Sequence, residues 1–194
     1  MSNNRGNILI LVAPSGGGKS TMAKRLMKDF DSIRFSVSAT TRSPRPGEVN
    51  GKDYYFLSDE EFQKKIETGE FLEWEEFYNG KRYGTLRSDV EKKRKEGHFI
   101  LLDIDVLGAT NIKHQYGSEA LSIFLKPPSM EELRKRLENR QTESADSLDI
   151  RLQRAKEEMK YADQFDKVII NDDLEEAYQQ VKESVASFMD KSSG

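Results

Sequence analysis

The chain has 194 residues, with 31 Lys or Arg against 34 Asp or Glu, for a formal net charge of −3. That length suffices to bury a core in one domain with small inserts, and the charge balance offers no global basic character to nucleic acid. The absence of cysteine excludes disulfides, thiolate metal sites and a cysteine nucleophile, and His98 and His114 are too few for a His-rich metal site.

Met1-Ser2-Asn3-Asn4-Arg5-Gly6 carries no signal-peptide pattern, and no apolar run approaches membrane-spanning length, so a soluble cytoplasmic protein with no membrane partner is expected. Ile8-Leu9-Ile10-Leu11-Val12 is the kind of aliphatic run that a strand buried on both faces requires. It leads into Ala13-Pro14-Ser15-Gly16-Gly17-Gly18-Lys19-Ser20-Thr21, a Gly-rich turn whose backbone N–H groups can converge on an anion. Met22-Ala23-Lys24-Arg25-Leu26-Met27 continues as a helix whose N-terminal partial charge favours the same anion. Strand, loop and helix follow the order of the phosphate-binding pattern G-x-x-x-x-G-K-[ST], with Lys19 reaching the β- and γ-phosphates of a nucleotide and Ser20 ligating Mg²⁺. Ala13 stands where that pattern has Gly, the smallest departure a side chain can make.

Ile33-Arg34-Phe35-Ser36-Val37 alternates as a short strand, and residues 38–48, punctuated by Pro44, Pro46 and Gly47, read as loop. Asp53-Tyr54-Tyr55-Phe56-Leu57 is strand-like, and Ser58 with Glu61 forms a capping box before Phe62 and Ile66. Residues 71–78 and the Asn79-Gly80 turn predict a hairpin, making 38–86 a small, mainly β insert with its own aromatic cluster, Trp74 in its core. A charged helix over 90–96 ends at Gly97, and Phe99–Asp105 is a second buried strand carrying carboxylates at its C-terminal end. A helix near 107–115, a strand over 120–125, a helix opened by a second capping box of Ser129 with Glu132, and a polar, mobile loop over 141–147 follow. Leu148, Leu152, Ala155 and Met159 mark a further helix, 167–170 a last strand, and Asp173 the cap of a final helix. Strands alternating with helices predict an α/β fold with a mainly parallel sheet.

Ligands of such sheets bind beyond the C-terminal strand ends, where the Gly-rich loop, Asp103 and Asp105 fall. Asp103 suits the role of an acid that positions Mg²⁺ directly or through its water shell. Arg42 and Arg45 lie in the insert loop and Arg136, Arg140 and Arg151 flank the polar loop, as fits a lid over phosphates. Arg134 and Arg154 are read as solvated surface arginines without a role.

The chain resembles the guanylate kinase family in residues 36–48, 49–54, 71–74, Tyr83-Gly84-Thr85, 102–105 and 168–173, which span nearly the whole chain. The resemblance implies a P-loop NTPase-type parallel sheet flanked by helices, formed by 1–37, 87–126 and 159–194, with a mainly β GMP-binding insert at 38–86 and a helical lid at 127–158. It implies transfer of the γ-phosphoryl group of ATP to GMP with Mg²⁺, in a monomer or homodimer without a nucleic-acid partner. Arg42, Arg45, Tyr54 and Tyr83 match positions that hold the GMP phosphate. Glu73 matches the residue that reads guanine, and Ser38, Thr85 and Asp105 match further base contacts. Arg140 and Arg151 match lid arginines at the transferring phosphoryl group, with Lys19 and Arg45 beside them, and Asn171 matches a residue near the ATP adenine. The alternative is a catalytically inactive phosphopeptide-binding domain of the same fold, in which the phosphate loop is degraded.

Overall fold

The computed structural model describes residues 5–77, 80–139 and 145–192. In chain order the elements are β1 (Ile8–Val12), α1 (Lys19–Asp29), β2 (Ile33–Phe35), β3 (Ser38–Thr40), β4 (Tyr55–Phe56), α2 (Asp59–Glu67), β5 (Phe71–Glu76), β6 (Arg82–Leu86), α3 (Arg87–Lys95), β7 (Phe99–Asp103), α4 (Val106–Tyr116), β8 (Ala120–Lys126), α5 (Met130–Glu138), α6 (Ala145–Met159), β9 (Lys167–Ile170) and α7 (Leu174–Ser192).

The aliphatic runs pair into a five-stranded, wholly parallel sheet of order β2-β7-β1-β8-β9. Because side chains alternate along a strand, β1 serves two cores. Leu9 and Leu11 pack with Met22 and Leu26 of α1 and Val181 and Val185 of α7 on one face. Ile8, Ile10 and Val12 pack with Val90 of α3 and Ala109 and Ile112 of α4 on the other. The strand before the Gly-rich loop is thereby held from both faces. Among the described residues, no helix is long and apolar enough to cross a membrane.

A second sheet, of order β4-β3-β6-β5, is built from the insert. Here the structure corrects the loop expected over 38–48, since Ser38–Thr40 is a strand paired antiparallel with β6, Ser38 opposite Thr85 and Thr40 opposite Tyr83. Three residues with no alternation of their own take strand form only because β6 supplies the hydrogen-bonding partner. The insert has a separate small core, in which Phe62 and Phe71 stack at 4.4 Å between ring centroids. The β5–β6 hairpin forms as expected, although Tyr78 and Asn79 of its turn lie outside the described residues.

Two cap expectations hold in the hydrogen bonds, and the capping box expected of Ser129 with Glu132 forms only in its Ser129 half, the Glu132 carboxylate accepting from Arg136 instead. Ser58 and Glu61 form the reciprocal capping box, Ser129 Oγ accepts from the Glu132 amide at 3.1 Å, and Asp173 Oδ1 accepts from the amides of Glu175 and Glu176 at 2.8 and 2.9 Å. Several boundaries move: the strands expected over 33–37 and 53–57 shorten to Ile33–Phe35 and Tyr55–Phe56, and the helix expected over 90–96 runs Arg87–Lys95. Asp105 is not part of its strand but caps α4, its Oδ1 accepting from the Gly108 amide at 2.7 Å. Residues 145–147, expected in a loop, open α6, and 141–144 lie outside the described residues. Leu133 and Leu137 of α5 pack with Leu152 and Ala155 of α6 into a helical hairpin beside the main sheet.

Arg94 is 1% exposed and ties the chain start to α3. Its Nε donates to the Gly6 carbonyl at 2.8 Å, its Nη1 to Glu91 at 3.0 Å and its Nη2 to Glu119. Arg94→Ala strands these acceptors, so urea unfolding should show a loss of about 2–3 kcal/mol, the low end for a broken buried pair because Glu119 is largely exposed. A loss below about 0.5 kcal/mol, the range of an ordinary surface change, would contradict this role.

Candidate active site

The C-terminal ends of β1 and β7, the start of α1, the insert and α6 enclose a cleft of about 870 Å³. All nine residues of the Gly-rich loop, Ala13 to Thr21, line it, together with Ser38, Tyr54, Glu73, Tyr83, Asp103, Asp105 and Arg151 among the residues singled out from the sequence.

At the phosphate-loop end, the Gly17 amide donates to the Pro14 carbonyl at 2.8 Å. Gly18 caps α1 at φ +92°, a left-handed conformation that suits glycine, with no side chain covering the first-turn N–H groups. These N–H groups and the helix N-terminus favour an anion. The Ala13 departure has a steric reason for being harmless. A Cβ at Gly17 would lie 2.8 Å from the Ala13 Cβ, so the room Ala13 needs is left by its neighbour's missing side chain. Lys19 pairs with Asp103 and approaches the Ile104 carbonyl at 3.4 Å, bringing the lysine of the Gly-rich loop into contact with the aspartate that ends β7.

Asn171 does not line the cleft. It is buried behind the loop, its Nδ2 donating to the Gly17 carbonyl at 2.8 Å and its own carbonyl accepting from Arg136 Nη1 at 2.9 Å. Arg136 is therefore engaged behind the loop, not over the cleft.

At the other end, β5 alternates as a strand should: Glu73, Glu75 and Phe77 turn to the cleft. Trp74 is 45% exposed on the opposite face, which corrects its expected place in the insert core, because the parity that aims Glu73 inward aims Trp74 outward. Glu73 Oε1 accepts from Thr85 Oγ1 at 2.6 Å, and Thr85 is buried behind it. Burial pushes the Glu73 carboxyl up to about 7, with the nearby Asp105 charge adding to the rise. A Cβ at Gly108 would sit 2.9 Å from Glu73 Oε2, so glycine at that position lets α4 close on the carboxylate. Burial and the facing Asp105 carboxyl likewise raise Glu75.

Tyr54 and Tyr83 meet edge to face with centroids 6.1 Å apart, and the Arg42 guanidinium lies 5.1 Å over the Tyr54 ring. Arg42 is held by Glu48 in a fork–fork pair at 2.9 Å for each bond, and the Arg45 amide donates to Glu48 at 2.7 Å. The Arg42 guanidinium holds the Glu48 carboxyl down at about 2. Arg42 thus stands beside Tyr54, neither Arg42 nor Arg45 is part of the cleft lining, and Arg140 lies outside the described residues.

Arg154 corrects a sequence expectation. It is not a solvated surface residue but part of the cleft wall, bonded to Glu75 on β5 at 3.1 Å and to Glu158 at 2.9 Å. Glu75, Phe77 and Glu158 were also missed. The alternation of β5 from Glu73 and the i, i+3, i+7 spacing of Arg151, Arg154 and Glu158 were the signals that could have found them.

A loop of this geometry after the central strand of a parallel sheet, its lysine paired with the aspartate ending the neighbouring strand, defines a P-loop nucleotide-binding protein. The chain belongs to the guanylate kinase family, whose model, described as guanylate kinase, matches residues 5–188. A guanylate kinase of Salinibacter ruber is 49% identical over 183 residues, covering 94% of this chain and 97% of its own. One of Chlorobaculum tepidum is 50% identical, covering 96% and 95%. The crystal structure of guanylate kinase from Anaplasma phagocytophilum superposes with a TM-score of 0.73 at 36% identity, covering 95% of this chain and 86% of that one. The chain is accordingly an enzyme, and a kinase.

Because Asn171 holds the loop from behind, Asn171→Ala should weaken nucleotide binding in calorimetry by roughly tenfold, the scale of one buried hydrogen bond left unmade. Unaltered affinity would remove it from the loop's support.

Proposed function

We propose that this enzyme transfers the γ-phosphoryl group of ATP to GMP, giving ADP and GDP. The observation that carries this reading is Glu73, a partly buried carboxyl in the cleft wall formed by the insert, fixed by Thr85 and closely approached by α4. A carboxylate there can accept from both N1–H and the 2-amino group of guanine, a donor pair adenine lacks. Leaving it unpaired against AMP costs of order 1–3 kcal/mol or more, the strong kind of discrimination.

Ser38, Thr85 and Asp105 would complete the base end, Thr85 acting through Glu73. Tyr54 and Tyr83 would donate to the GMP phosphate from the cleft wall, with Arg42, beside Tyr54, and Arg45 turning in to supply charge. Residues 13–21 would cradle the ATP phosphates, and Asn171 would act on ATP through the loop it supports. Arg151 and Arg140 would approach the transferring phosphoryl group. In this assignment 38–86 acts as the GMP-binding insert and 127–158 as the lid on a core of 1–37, 87–126 and 159–194.

Ser20 and Asp103 are hard oxygen donors at the phosphate end, and no cluster of three or more His, Asp or Glu placed to hold a metal exists among the described residues. That donor set fits Mg²⁺ carried largely by nucleotide phosphates rather than caged by protein. Bound with ATP, Mg²⁺ supplies charge neutralisation at the β- and γ-phosphates. Lys19 does the same from the loop, releasing Asp103 from their present ion pair. The GMP phosphate oxygen forms the new bond to the γ-phosphorus as the bond to the ADP oxygen breaks, so no protein base is needed. Positioning and charge stabilisation are the protein's contribution. The intact loop and the family's named kinases support this reading, and no specific observation favours the inactive phosphopeptide-binding alternative. The enzyme would work in the cytoplasm as a monomer or homodimer, with ATP and GMP rather than nucleic acid or membrane as its partners.

A coupled assay of ADP formation with Mg²⁺, ATP and each of GMP, dGMP, AMP, CMP and UMP should show turnover with GMP and not AMP. Turnover with AMP, or none with GMP, would overturn the reading. Lys19→Ala should lower kcat by at least roughly a hundredfold, the scale of a lost charge contact to the transition state.

Guanine pairs with the ionised form of Glu73, so GMP affinity should rise with pH through about 7 and then level off, with proton release on binding. In the nucleotide-free protein the sign reverses. The folded pKa lies above the ordinary value of 4.5, so protonated Glu73 favours folding at low pH, and that contribution is lost as pH rises through about 7. Glu73→Gln should therefore gain Tm over the parent chain more at pH 8 than at pH 5. A gap independent of pH would contradict the raised carboxyl.

A further inference from the structure

The helix α6 has two faces. Leu148, Leu152 and Ala155 pack toward Leu133 and Leu137 of α5, while Arg151, Arg154 and Glu158 line the cleft. From that second face the Arg154 guanidinium reaches across to the insert. Its Nη2 lies 3.1 and 3.4 Å from the two carboxylate oxygens of Glu75, its Nε donates to Glu158 at 2.9 Å, and its central carbon stands 5.0 Å over the Phe77 ring. Partners from both walls thus converge on one planar cation.

An exposed ion pair alone contributes little. Here the Arg154 and Glu75 side chains are only 39% and 30% exposed, and a carboxylate edge and a ring face together fix the plane of the guanidinium. Glu75 is also crowded by Asp105, and Arg154 is the cation that offsets that repulsion from across the cleft.

The connectivity gives this clasp its consequence. Glu73 and Glu75 are two apart on β5 and share its cleft face, while Arg151 and Arg154 are three apart on α6 and share its cleft face. The Glu75–Arg154 contact therefore joins the strand bearing the base-end carboxyl to the helix bearing the cleft arginine.

We propose that Arg154 is a positioning residue: by clasping Glu75 and lying on Phe77 it holds α6, and with it Arg151, against the cleft. The catalytic consequence rests on the reading above, in which Arg151 contacts the transferring phosphoryl group; the clasp itself does not. A lysine at 154 keeps the charge but loses the fork and the flat stacking surface, and a glutamine loses the charge.

The chain has a single tryptophan, Trp74 on β5, and no cysteine. A fluorophore placed on Gln153→Cys, an exposed position of α6, therefore accepts energy from one donor across the clasp. In the full, nucleotide-free chain, Arg154→Gln and Glu75→Gln should each lower that transfer, and Arg154→Lys should restore part of it. In unlabelled protein, Arg154→Gln should lower kcat at least roughly tenfold while KM for ATP stays within about threefold, the signature of a misplaced transition-state contact rather than lost binding. Partial recovery of kcat in Arg154→Lys is expected alongside. Unchanged transfer in Arg154→Gln, or lowered transfer with unaltered kcat, overturns the proposal. A parent chain that does not phosphorylate GMP defeats the proposed function by itself, and the energy-transfer measurement then decides the clasp alone.

Discussion

A Gly-rich turn opening directly into a helix is a costly arrangement, because no side chain caps the helix's first-turn N–H groups. Distant parts of the chain keep that turn in place. The β1 strand below it is buried on both faces, and α1 continues from it directly. Asn171 grips its Gly17 carbonyl from behind, and Arg136 in turn grips Asn171. The loop is therefore fixed through β9 and α5, elements more than a hundred residues away in the chain.

The opposite end of the cleft works by a different physical principle. Glu73, Glu75, Asp105 and Glu158 gather there, partly withdrawn from water, with Arg154 as a cation among them. Burial of Glu73 without a full set of donors destabilises its charged form, and a ligand presenting two N–H groups removes that penalty. In the proposed function selectivity and stability are coupled at this residue: the desolvation that would let Glu73 reject the wrong base is the same desolvation that raises its carboxyl in the empty protein. The contact from α6 to β5 sits beside this group, so one guanidinium both compensates charge and joins the helix to the insert.

Elements whose own residues carry the folding signal were legible in the sequence. The aliphatic runs of β1, β7 and β8 announce buried parallel strands, and Ser58, Ser129 and Asp173 announce helix starts that the hydrogen bonds bear out. β3 was not legible, since its strand form comes from pairing with β6 and not from its three residues. Trp74 looked like core from its size, yet strand parity set by Glu73 turned it outward. Arg154 looked like one more charged residue on a helix, and only the approach of β5 gives it partners.

By itself the sequence determined the parallel α/β fold, the phosphate loop with Lys19 and Ser20, and the carboxylates waiting at strand ends, because period, glycine content and residue chemistry are local properties of the chain. Tertiary structure alone decided which of those groups face one another: Asn171 behind the loop instead of on its rim, Arg42 locked by Glu48, Thr85 orienting Glu73, and Arg154 spanning two walls. Such pairings depend on distances between elements far apart in sequence, and burial, which sets the protonation of Glu73, exists only once those elements have packed.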